Sequence, residues 1–125
     1  MAHEYAKIDD STAVVTVGRE LSSGGRNTVN ELRDLCRRLA EEGKKRNILD
    51  FSDVKVCPSV VLGNIIVLDK RLKENGGGVA LAAPAAHVAK AARIVGLNRT
   101  IPSFDSVDDA VKSTQKEEDN HESCD

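Results

Sequence analysis

The stretch ILDFSDVKVCPSVVLGN, Ile48 to Asn64, decides the reading of the chain. An apolar run ending in an acidic turn, then an extended segment, a proline and a serine that opens an apolar helix, reads as strand, loop, helix. Ser59 falls at the helix mouth. The first helical residues carry backbone N–H groups without intrahelical partners, and the aligned peptide dipoles add partial positive charge, so a phosphate or carboxylate is tolerated there. A switch fits this position. Two purely structural readings stand beside it: Ser59 is the N-cap, or Pro58 is the first helical residue and Cys57 precedes it.

Outward from that stretch, the flanks alternate between sheet and helix. On the N-terminal side, Ala6 to Ile8 and the β-branched run Ala13 to Val17 read as a hairpin joined by Asp9-Asp10-Ser11. Gly18-Arg19-Glu20-Leu21 leads to Ser22-Ser23-Gly24-Gly25, with Ser22 or Ser23 as the expected cap of the next helix. From about Arg26 to Glu42, Val29, Leu32, Leu35, Cys36 and Leu39 draw one apolar stripe, and the opposite face carries mixed charges suited to solvent. Gly43 ends that helix, and Arg46 to Phe51 follows as a strand.

On the C-terminal side, Leu62, Ile65, Ile66, Asp69 and Leu72 fit a helix from Ser59 to Lys73 or Glu74, stopped by Asn75-Gly76. Gly63 inside it costs about 1 kcal/mol relative to alanine, so a close neighbouring element or a partner is expected to require its small size. Val79 to Ala83 is a continuous apolar run that predicts an interior strand. Val88, Ala91, Ala92 and Val95 mark another helix closed by Gly96, with His87 on its surface. Ile101 to Phe104 gives a last strand at an edge, because Pro102 lacks an N–H. Ser106 and Asp109 form a capping box for Val107 to Lys112.

The order predicts an α/β fold: a small mixed, largely parallel sheet of four to five strands with helices packed on it. Residues 1–113 form the domain, and 114–125 read as an acidic disordered tail. From Thr114 onward Lys116 stands against Glu117, Glu118, Asp119, Glu122 and Asp125, a net −4 within a chain of −2, which leaves the body at +2.

Composition excludes several classes of function. A body of +2 is too weakly basic to neutralise a phosphate backbone, and Tyr5, Phe51 and Phe104 are the only aromatics, so no platform exists for stacking bases. Nucleic acid is therefore not an expected partner. No apolar run approaches a bilayer span, and the N-terminus lacks the features of a secretory signal, so the expected location is the cytoplasm. Cys36, Cys57 and Cys124 are widely spaced and without a CxxC pair, which indicates neither a disulfide framework nor a metal site. No cofactor fingerprint occurs, and Ser59 lacks the flanking glycines of a nucleophile elbow, so catalysis is not expected.

Gly18-Arg19-Glu20-Leu21, Ile48-Leu49-Asp50-Phe51-Ser52-Asp53-Val54, Ser59 with Leu62-Gly63, Gly78-Val79-Ala80-Leu81, Pro84, Ile94-Val95-Gly96-Leu97 and Asp109-Ala110-Val111, taken in order, resemble a STAS domain. The resemblance covers roughly residues 5–113, and its nearest branch is the anti-sigma factor antagonists, or anti-anti-sigma factors. That family normally opens the corresponding helix with Asp-Ser-Ser/Thr-Gly-Leu-Gly. Its first serine is phosphorylated by an anti-sigma factor that is itself a serine kinase. Aligned through Leu49-Asp50 and Leu62-Gly63, Ser59 takes the phosphoacceptor place.

The resemblance thus implies binding to an anti-sigma factor with kinase activity, ended by phosphorylation of Ser59. The implied contact surface is Cys57, Pro58, Ser59, Val60, Val61, Leu62 and Gly63, with Ser22 and Ser23 contributing. Here Pro58 replaces the family aspartate, Val60 and Val61 replace Ser/Thr and Gly, and Ser22 stands where an acidic residue often follows the Gly-x-Leu turn. The alternative is a STAS scaffold or ligand sensor that binds constitutively, without phosphate control, and that admits a weak homodimer.

Overall fold

The computed structural model describes residues 4–7, 11–18, 26–55, 57–74 and 76–113. Strands β1 (Glu4–Lys7) and β2 (Thr12–Thr16) are followed by helix α1 (Arg26–Glu41), β3 (Arg46–Asp50), α2 (Ser59–Glu74), β4 (Gly78–Ala82), α3 (Ala86–Ile94) and β5 (Ser103–Phe104). A 3-10 turn, Leu97–Arg99, precedes β5, and a last helix, α4, spans residues 107–113. The five strands lie in the order β1-β2-β3-β4-β5. β1 is antiparallel to β2, and every later pair is parallel.

That order fixes the layers. Each parallel connection steps one strand in the same direction, and the right-handed rule for such crossovers places α1, α2 and α3 on one face of the sheet. The strand side chains alternate accordingly. Ala13, Val15, Leu49, Val79 and Leu81 pack with Leu32, Leu35, Cys36, Leu39, Ile65 and Val88 from the three helices. Val14, Ile48, Ala80 and Ala82 point to the other face, where Ala110, Val107 and Val111 of α4 cover them.

The expected mixed, largely parallel sheet is present, with differences at the element ends. β4 stops at Ala82 because Ala83 turns left-handed (φ 55°) before Pro84. The last strand is shorter than the expected Ile101 to Phe104: Ile101 is a fully buried core residue, and only Ser103–Phe104 pairs with β4. Val95, expected on the buried stripe of α3, lies beyond the helix end and is exposed. The expected capping of α4 is made, since the Asp109 N–H donates to the Ser106 hydroxyl at 3.1 Å. Gly43 and Gly76 close α1 and α2 with φ of 96° and 82°, a region that favours glycine. The expected cap at Ser22 or Ser23 lies outside the described residues.

Candidate functional site

The loop from β3 to α2 is held from below by apolar plugs. Phe51, Val54 and Cys57 are all buried, while Ser52, Asp53 and Lys55 between them face solvent. The turn is fixed by the Ser52 N–H donating to Asp50 Oδ1 at 3.0 Å and the Val54 N–H donating to the Phe51 carbonyl at 2.9 Å. Burial pushes the Cys57 thiol up to about 11, so it stays neutral and unreactive near pH 7. Cys57 serves the core here.

α2 then begins on Pro58. Its carbonyl accepts from the Val61 N–H at 3.0 Å and the Leu62 N–H at 3.2 Å, so Pro58 takes the N-cap place and Ser59 is the first helical residue. Both structural readings of the sequence are thereby corrected: Ser59 is not the cap, and Pro58 is not inside the helix. Pro58 has no side-chain acceptor for the first N–H groups, and the first turn contains no acidic residue. Ser59 itself is exposed.

The residues expected to form one contact surface divide by helical phase. Val61 and Leu62 are fully buried, and with Cys57 they pack into the core, so their side chains are withdrawn from any partner. Val60 is the opposite case, an aliphatic side chain left 66% exposed directly after Ser59. Pro58 and Gly63 are half-buried. A Cβ added to Gly63 would meet nothing within 4 Å among the described residues, so no described neighbouring element demands its small size, contrary to one of the two expectations. The Asn64 side chain folds back to donate to the Val60 carbonyl at 2.9 Å, and Val67 one turn further is 48% exposed. Of the expected set, Pro58, Ser59, Val60 and Gly63 therefore keep exposed surface, and Asn64 and Val67 are exposed beyond them. Ser22 and Ser23 lie outside the described residues.

The far end of α2 holds a residue that the sequence placed on the packed stripe without supplying its partners. Asp69 is fully buried; its Oδ1 accepts from the Val79 N–H at 2.9 Å and its Oδ2 pairs with Lys73 Nζ at 2.9 Å. Lys73 Nζ also donates to the Thr100 carbonyl at 2.6 Å. The signal was an aspartate sitting in the apolar stripe Leu62, Ile65, Ile66, Leu72.

With this geometry in view, the sequence matches the STAS domain family over residues 5–110. The chain belongs to that family. Solved structures share the STAS architecture at low identity. The crystal structure of TM1081 from Thermotoga maritima, described as a candidate anti-sigma factor antagonist, has a TM-score of 0.74 at 23% identity, covering 90% of this chain and 93% of that one. The anti-sigma factor antagonist SpoIIAA in its unphosphorylated form gives 0.74 at 16% identity over 92% and 97% of the two chains. The murine anion transporter Solute Carrier 26 family member A9 gives 0.69 at 19% identity, over 89% of this chain and 19% of the transporter. No curated protein matches the STAS chain by sequence. Among the described residues no helix is long and apolar enough to cross a membrane, and no three His, Cys, Asp or Glu side chains are grouped to hold a metal ion.

Proposed function

We propose that this STAS domain is a non-enzymatic regulator of the cytoplasm that binds an anti-sigma factor with serine-kinase activity through the mouth of α2, and that phosphorylation of Ser59 ends the binding. The observation that carries this reading is an exposed serine at the first position of α2 beside an exposed valine, Val60. A phosphate adds about −1.5 to −2 charges and a hydration shell, which a helix N-terminus accommodates and an apolar partner contact does not. Solved structures of SpoIIAA in an unphosphorylated and a phosphorylated form support the analogy. The proposed contact set is Pro58, Ser59, Val60 and Gly63, with Ser22 and Ser23 contributing.

The test is affinity capture from the host with wild type and Ser59→Asp. The proposal expects an anti-sigma factor with a kinase domain on the wild type and its loss from Ser59→Asp, with a melting temperature nearly unchanged or slightly raised. Equal capture by both proteins defeats the switch. One observation favours the rival reading of constitutive docking: Pro58 stands where the resemblance puts an aspartate, so the loop differs from the one such kinases meet. Equal capture would select that rival.

A further inference from the structure

At the end of the sheet opposite Ser59, a cavity of about 230 Å³ opens beside the first residues of β3 and β4. It lies along the half of β4 that β5 does not reach. β5 pairs only with Leu81 and Ala82, and Pro102 lends its carbonyl to the Leu81 N–H but has no N–H to extend the ladder. Asp69 serves the Val79 N–H instead, from the helix side. Ile48, Ala80 and Phe104, on the face that α4 covers, supply an apolar wall. Ser113, the last residue of α4, stands on the rim of the same cavity.

The charged lining is of one sign. Arg46 and Lys73 line the cavity, and no Asp or Glu stands among the described lining residues. Exposed Lys45 adjoins it, its carbonyl accepting from the Gly78 N–H at 2.8 Å. Lys73 already engages Asp69 and the Thr100 carbonyl, and an ammonium has three donors, so one is left. Arg46 has contacts of its own, and a guanidinium with five donors takes a carboxylate beside them.

The chain itself supplies the opposite sign. Residues 114–125, outside the described residues, continue from Ser113 at the rim and carry a net −4. The cluster Glu117, Glu118, Asp119 begins four residues after Ser113, roughly 13 Å of extended chain, which is enough to cross the opening. Exposed ion pairs are individually weak. A tether this short, however, holds the carboxylates at an effective concentration in the mM range, so a contact too weak between separate molecules is populated within one.

We propose that the acidic C-terminal segment of the chain folds back onto this cavity, with the carboxylates of Glu117, Glu118 and Asp119 at Lys45, Arg46 and Lys73. The segment covers the side of β4 that β5 leaves open. It acts at the end of the domain away from the Ser59 surface, and salt weakens it.

A nitroxide on Cys124 of the full chain, read as paramagnetic broadening in 1H–15N correlation spectra, tests this. Burial pushes the Cys36 and Cys57 thiols up to about 12 and about 11, which directs a maleimide reagent to Cys124. The expected result is strong broadening of the Arg46, Gly77 and Gly78 amides. It should fall at least roughly threefold at about 1 M salt, where the Debye length is roughly 3 Å. Glu117→Gln, Glu118→Gln and Asp119→Asn combined should produce the same fall at low salt, and so should Arg46→Gln. If Arg46→Gln does not fold, the neutralised tail decides. A segment that is tethered but undocked broadens these amides equally with and without its charges, and that result overturns the proposal. Broadening centred instead on Arg33 and Arg37 of α1 overturns it too. So does broadening of isotope-labelled chains that lack the nitroxide when they are mixed with nitroxide-bearing ones, because the segment then binds a second copy. None of these readouts depends on a partner or on phosphate, so this contact and the Ser59 switch can fail independently.

Discussion

At its first turn α2 turns Ser59 and Val60 to solvent, whereas at its far end the same helix buries Asp69 completely and ties it to β4. Beside the buried Val61 and Leu62, the first end leaves side chains uncovered: Pro58 offers the helix only a carbonyl, a Cβ at Gly63 would meet no described atom within 4 Å, and Val60 is mostly exposed. The second end is closed by a carboxylate that joins helix, strand and the Thr100 loop through Lys73. One end is organised for the fold. The other leaves Ser59 and Val60 exposed at the helix mouth, and the proposed reversible contact rests on them.

Substitutions at the two ends should therefore separate stability from binding. The largest effect on stability is expected from Asp69→Ala, which leaves the buried Val79 N–H without an acceptor and should cost about 3 kcal/mol in urea unfolding. A loss below about 1 kcal/mol would mean that the closed end is not closed by Asp69. Val60→Glu should do the reverse, leaving the urea midpoint within about 0.5 kcal/mol of wild type, as surface changes do. Partner affinity, measured by calorimetry, should fall at least roughly tenfold, since a charge would enter an apolar contact. Unchanged affinity would remove Val60 from the interface. The smallest effect belongs to Gly63→Ala, which should raise stability by about 0.5–1 kcal/mol because the helix gains propensity and the new methyl meets nothing. If the same variant weakens partner binding, the small size of Gly63 serves the partner. If it does not, that glycine has no role at the surface.

The contrast also explains what could be read before the structure. The sheet, its parallel order and the start of α2 were legible, because apolar periodicity and turn residues such as Gly43 and Gly76 are local signals. The orientation of Val60, Val61 and Leu62 was not. In Ser-Val-Val-Leu-Gly nearly every position is apolar, so sequence alone gives no rotational phase, and the sheet beneath decides that Val61 and Leu62 face inward and Val60 outward. Asp69 was placed on the packed stripe, as the structure has it, but its partner, the Val79 N–H, was not legible, because it depends on β5 being too short to reach that point of β4. Pro102 pointed to an edge strand without revealing how far the ladder extends.

The proposed function makes the open end of α2 a surface controlled by phosphate. Phosphosite mapping by mass spectrometry, on the protein recovered from its own host in growing and in stressed cells, tests it most directly. The account predicts phosphate on Ser59 with an occupancy that changes between the two conditions. Ser59 unmodified in both, while the anti-sigma factor is still recovered with the protein, would contradict it.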